Sequence, residues 1–217
     1  MEPVPTTRSG PADVVRSYPW SLVFEEQLRD GDHIELRPIR DTDGPAMTAF
    51  HESLSPRSVY RRFFFAHPRL SPGEVERFTH VDYVHRMAFV VIDDDRIVGV
   101  GRYERLEGSD EAEVAFVVTD AYQRRGIGAL LLDRLAEVAR GQGITTFVAQ
   151  TLSENRDMLG VFLTSGFPVE SSSEGGTVSV RFPIEPTDAY VRARERRSSG
   201  SADGSAAPDR PEASSGR

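Results

Sequence analysis

The sequence predicts an α/β fold, on three observations. Strand-length apolar runs rich in β-branched residues are interspersed with segments whose apolar residues recur at helical spacing. Helical segments open on a serine followed by proline at Ser55-Pro56 and again at Ser71-Pro72, the pattern of a cap and a first helical position. Residues 113–135 pass from a strand through a glycine-bearing loop directly into a helix. The resulting order is strand, helices, three strands, helix, strand, helix, two strands.

Each element has its own local reason. Residues 1–16 show no periodicity and are expected to be disordered. Residues 17–32 read as an arm, apolar at Tyr18, Trp20, Leu22, Val23 and Phe24, ending in a turn at Gly31-Asp32. His33–Arg40 alternates and reads as the first strand, with Pro38 marking an edge or a strand end. Asp43 is expected to cap a helix whose buried face is Ala46, Met47, Ala49, Phe50 and Leu54. The helix from Ser55 carries Val59, Tyr60 and Phe63–Phe65, and a short third helix follows Ser71. Met87–Ile92 and Ile97–Tyr103 form a hairpin around Asp93–Asp95, a solvated turn with no fourth ligand spaced for a metal.

The central strand comes next, and the long helix after it stops at Gly141–Gly143. Thr145–Leu152 is a strand, and a helix from Asn155 runs to Ser165 before Gly166-Phe167. Phe167–Ser171 and Thr177–Pro183 close the sheet, giving a domain over residues 33–186. From residue 187 to 217 the chain is rich in Ser, Ala, Gly and Arg and is expected to be disordered.

Composition narrows the function classes. No apolar run approaches the ~20 residues that span a bilayer, and no signal pattern opens the chain, so no membrane association and a cytoplasmic location are expected. Cysteine is absent, which excludes disulfides, thiolate metal sites and an acyl-cysteine intermediate. The five histidines lack metal-ligand spacing, and no metal is expected. The net charge of −8 disfavours nonspecific nucleic-acid binding and is compatible with a cationic substrate or with solubility alone. Every basic residue is arginine, so the chain has no lysine side chain to modify.

The stretch from Glu113 to Leu135 carries the chemistry. Val114–Val118 is an unbroken apolar strand, and Leu131, Leu132, Leu135 and Val138 fall on one helical face. Between them lies Gln123-Arg124-Arg125-Gly126-Ile127-Gly128. Glycines let an anion approach the backbone, first-turn N–H groups have no helical partner, and Arg124 and Arg125 add positive charge. The order Gly-x-Gly-x-x-Gly of a dinucleotide fold and the Gly-Lys-Ser/Thr of a Walker loop are both missing.

Gln-x-x-Gly-x-Gly after an apolar strand resembles the acetyl-CoA signature of the GCN5-related N-acetyltransferases (GNAT). The resemblance covers about residues 33–184 and includes the helix start at Asn155 and Gly166-Phe167. Ser55–Phe64 and Ala112-Glu113-Val114-Ala115-Phe116 are similar to bacterial protein lysine acetyltransferases. It implies a mixed sheet of six to seven strands, helices on both faces, and a splay between the fourth and fifth strands. It also implies acetyl-CoA as cosubstrate. The backbone of Phe116, Val117 and Val118 would receive the pantetheine arm, the amides of Arg124 through Ala129 the diphosphate, and Asn155 the pantetheine end, with Gln123 of the signature also at the cofactor. Asn155 would equally serve as a helix cap.

By the same resemblance Glu113 is the general base; spacing alone also allows an exposed strand carboxylate beside Glu111. Two positions depart from the family pattern: Gln150 stands where some members carry a glutamate, and Phe162 where many carry a tyrosine acid. A thiol of pKa ~8.5 leaves without that acid. The implied acceptor is a lysine-bearing protein such as an acyl-CoA synthetase. A small amine, or acetyl-CoA sensing without catalysis, are the alternatives.

Overall fold

The computed structural model describes residues 17–202. The expected tails at 1–16 and 203–217 lie outside the described residues. Eight strands form one sheet: β1 Phe24–Gln27, β2 His33–Pro38, β3 Arg86–Asp93, β4 Arg96–Arg105, β5 Glu111–Val118, β6 Thr146–Leu152, β7 Glu170–Glu174 and β8 Thr177–Pro183. Their spatial order is β1-β2-β3-β4-β5-β6-β8-β7. Neighbours are antiparallel except β5 and β6, which are parallel because the long helix crosses between them.

Among the described residues, six α-helices flank the sheet: α1 Gly44–Ser53, α2 Pro56–Phe63, α3 Pro72–Thr79, α4 Ile127–Gly141, α5 Arg156–Leu163 and α6 Asp188–Ala202. Alternation along the strands sorts side chains to two faces. Met87, Phe89 and Val91 of β3 join Leu131, Leu135, Phe147 and Phe162 in the core under α4 and α5. Ala88 and Val90 join Ile39, Met47, Phe50 and Leu54 in a second core under α1 and α2. Ser55 and Ser71 cap α2 and α3 as their spacing predicts, each accepting a backbone N–H from the first turn.

Four expectations are corrected. The sheet has eight strands, because the arm contributes β1, paired to β2 from Phe24↔Leu36 to Gln27↔His33. Asp43 does not cap α1; its carboxylate holds the Arg37 guanidinium at 2.7 and 2.9 Å and the Arg40 N–H at 2.8 Å. The strand expected at Phe167–Ser171 begins at Glu170, since Phe167 turns inward to stack on Tyr190 at 4.3 Å. Residues from 187 are not featureless: Asp188–Ala202 is helix α6.

Tertiary contacts hold α6 where composition gave no signal. Tyr190 and Ala193 are buried, and Thr187 Oγ1 donates to Gly166 O while accepting the Tyr190 N–H. Gly166 is the point of closest approach. A Cβ there would stand 2.5 Å from Tyr190 Cα and 2.6 Å from Ala189 O.

Candidate active site

The site begins where the sheet opens. β5 and β6 pair at three positions only, ending at Glu113↔Val148, although β5 continues to Val118 and β6 to Leu152. A cavity of about 290 Å³ fills the divergence. Glu113, Phe116, Val117, Val118, Gln123, Arg124, Gly126, Ile127, Gly128, Ala129 and Asn155 all line it. Arg125 does not.

The loop at one end is built to leave amides unused. Gly126 precedes α4 with φ 97°, a conformation that costs glycine nothing, and Arg124 is left-handed at φ 63°. Ala129 N and Leu130 N both donate to Gly126 O at 3.1 Å, so the Ala129 amide is already engaged. Among the described residues, the N–H groups of 124–128 have no main-chain partner. They converge at a helix N-terminus, which suits an anion.

Side chains brace this loop. Gln123 Nε2 donates to Val118 O and to Ser58 Oγ, both at 3.0 Å. Asp120 accepts the hydroxyls of Ser55 and Ser58 and the Ser55 N–H. Burial would raise the Asp120 carboxyl, but these donors hold it below its ordinary value. The network ties α2 to the loop. Arg125 turns the other way, pairing with Asp30 and Asp32 of the arm and stacking over Tyr122 at 4.8 Å. Its expected role as a phosphate donor gives way to these carboxylates, which lie too far away in sequence to be seen locally.

The other end holds a carboxylate. Glu113 occupies the last rung joining β5 to β6 and is exposed. Five residues of strand separate it from Val118, roughly 16 Å at strand rise. Glu111 is no partner for it, since Arg181 takes that carboxylate. Asn155 caps α5, accepting the Met158 N–H at 3.3 Å, and among the described residues its amide nitrogen has no partner. Gln150 and Phe162 also line the cavity, Phe162 packed against Phe116 and Phe182.

Four more arginines line the cavity wall: Arg61 and Arg62 belong to the Ser55–Phe64 stretch that resembles bacterial protein lysine acetyltransferases, whereas Arg29 and Arg197 carry no sequence signal. Arg29 from the arm stands beside Gly126, where an added Cβ would meet its Nε at 3.6 Å. Arg61 reaches Asp157 of α5 at 3.4 Å, across the mouth. Arg62 lies next to Glu113's end, and Arg197 arrives from α6. Among the described residues, no group of three His, Asp or Glu side chains could hold a metal ion.

Residues 53–167 match the family model described as the acetyltransferase (GNAT) family. The chain is a GNAT acetyltransferase. Acetyltransferase PA5475 of Pseudomonas aeruginosa is 31% identical over 156 residues, covering 70% of this chain and 84% of the relative. Acetyltransferase Pat of Mycolicibacterium smegmatis is 30% identical over 170 residues, covering 75% of this chain but 49% of Pat, so the chain spans about half of that relative. The crystal structure of the GNAT domain of S. lividans PAT superposes with a TM-score of 0.73 at 38% identity, covering 77% of this chain and 99% of that domain. As a GNAT enzyme it transfers an acetyl group from acetyl-CoA. The amides of 124–128, without main-chain partners among the described residues, fit the diphosphate of that cosubstrate. Helix α6, which carries Arg197, lies beyond the residues that the family model matches.

Proposed function

We propose that the chain acetylates lysine side chains of a protein, such as an acyl-CoA synthetase, with Glu113 as general base. One observation carries it: a carboxylate at the last paired rung of β5, a strand's length from the free amides that suit a diphosphate, within one cavity. Similarity to the S. lividans PAT domain and to Pat supports the choice of protein lysine over other amines.

In this reading residues 124–128 hold the diphosphate and β5 beyond Glu113 receives the pantetheine arm. A lysine ammonium has a pKa of ~10.4, so little free amine exists at neutral pH. Glu113 takes the proton, directly or through water. The amine nitrogen bonds to the thioester carbon while a β5 main-chain N–H faces the developing oxyanion. The C–S bond then breaks, and the CoA thiolate is protonated from solvent, since Phe162 offers no acid.

Glu113→Gln tests the mechanism. Release of CoA in the presence of acetyl-CoA and a lysine protein should fall about 10²–10³-fold with acetyl-CoA affinity unchanged. Wild-type turnover in that variant removes Glu113 from the reaction. Tight binding of acetyl-CoA with no transfer to any amine would make the protein a sensor instead.

A further inference from the structure

Beside Glu113, away from the diphosphate loop, two guanidinium groups stand without a carboxylate. Arg62 of α2 and Arg102 of β4 both line a small cavity of about 30 Å³, otherwise walled by His51 and by apolar side chains such as Phe50, Leu54, Phe78 and Val117. Arg62 also lines the larger cavity, so it forms the partition between the two. Among the described residues Arg62 makes no hydrogen bond and no ion pair within 4 Å; its guanidinium rests 5.0 Å from the Phe63 ring. Arg102 stands 4.2 Å over the Phe78 ring and donates to Phe78 O at 2.9 Å.

The other charges around this compartment are taken. Arg61 pairs with Asp157, and Arg77 with Glu104. His51 Nε2 lies 2.6 Å from His67 O, and Arg86 donates to Arg77 O. Only long-range attraction remains, from Glu113 on Arg62 and from Glu104, already paired with Arg77, on Arg102. Burial pushes Arg62 below its ordinary value against the pull of Glu113. Burial, then repulsion from Arg62 and Arg86, lowers Arg102 to about 9. Buried charges are normally paired, so the compartment is one anion short. Its free space is that of roughly one water molecule, room for one oxygen of a carboxylate.

The geometry points to the missing anion being part of the acceptor: the amine that Glu113 deprotonates carries a carboxylate close by, and that carboxylate docks on Arg62 and Arg102. The inference rests on the acetyl-transfer reading above and names a chemical class for its substrate. Guanidinium forks match carboxylates in shape as well as charge. The carboxylate has two sources, an acidic side chain next to the lysine of a protein segment or the α-carboxylate of a free amino acid.

Turnover of matched acceptors with acetyl-CoA separates them. One pair is a peptide with Lys-Asp against the same peptide with Lys-Asn; the other is free lysine against lysinamide. At least one pair should differ tenfold or more in kcat/KM, favouring the carboxylate, and the pair that does names the source. Arg62→Gln should erase the difference. Arg62→Glu should reverse it toward the amide acceptor, a result that partial unfolding cannot produce. Equal turnover within both pairs by the wild type overturns the inference while leaving acetyl transfer intact, as does an unchanged preference in Arg62→Glu. No turnover of any acceptor despite acetyl-CoA binding removes the underlying reading, and this one with it.

Discussion

Arg197 Nη2 of α6 lies 2.9 Å from both carboxylate oxygens of Asp133 on α4, and both side chains are largely buried. Burial pushes the Asp133 carboxyl up, even against the Arg197 charge. Removing the arginine takes away that carboxylate's ion pair, leaving it the weaker influence of Arg194 and Tyr190. Arg197→Gln should lower unfolding free energy by about 3 kcal/mol at neutral pH. The sign with pH follows. A folded state that holds the Asp133 proton more tightly than the unfolded chain is favoured below the unfolded value of ~3.9, and that advantage is lost as pH rises through the folded value. The loss should be steeper in Arg197→Gln than in wild type. Urea titrations between about pH 4 and 7 check it; parallel slopes would refute it.

Gly166 governs the same helix from the other end. An added Cβ meets main-chain atoms of Ala189 and Tyr190, which cannot swing aside as a side chain would. Gly166 is also left-handed, at φ 90°. Gly166→Ala in the full chain should displace α6, lower the melting temperature and weaken acetyl-CoA binding as Arg197 leaves the cavity wall. In a protein shortened after Pro186 the same change should cost only the left-handed strain, about 1–2 kcal/mol. Calorimetry on the four proteins reads the non-additivity. Equal costs in both backgrounds would separate Gly166 from α6.

Asn155 both caps α5 and faces the cavity, and two substitutions separate the roles. Aspartate caps as well as asparagine but donates no amide hydrogen. Asn155→Asp should therefore hold stability within a few tenths of a kcal/mol while acetyl-CoA affinity drops about tenfold or more; Asn155→Ala should lose about 1 kcal/mol of stability as well. Undiminished affinity in Asn155→Asp would leave the residue as a cap alone.

Asp120 joins α2 to the diphosphate loop. Its carboxyl is held low, so its contribution is present above the unfolded carboxylate value and is lost as pH falls below about 4. Asp120 is solvent-exposed, so the effect on global stability is under ~1 kcal/mol. The sharper readout is local. Asp120→Asn should speed amide hydrogen exchange across residues 55–63 and weaken acetyl-CoA binding, because Ser58 no longer anchors Gln123. Unchanged exchange in α2 would show that the network is not what holds it.

Where local chemistry decides structure, the sequence was readable. The Ser-Pro starts of α2 and α3, the apolar run of β5 and the glycines before α4 each act within a few residues. They located the cavity and all its sequence-selected residues but Arg125. The failures share a cause in distance. Asp43 serves Arg37 instead of a helix end, and Arg125 serves a turn some 95 positions earlier. Helix α6 has no apolar stripe of its own; two buried side chains and the ion pairs of Arg194 and Arg197 to α4 hold it. Arg62 and Arg102 lie on separate elements, and only packing makes them neighbours.

The three-rung junction of β5 with β6 has a mechanical consequence. Beyond Glu113 the two halves of the sheet part company, and no backbone ladder stitches them across the gap. An extended ligand lying there with amide groups of its own stands in for a ninth strand. The loaded protein should then be the stiffer body, with the substrate serving as a structural rib.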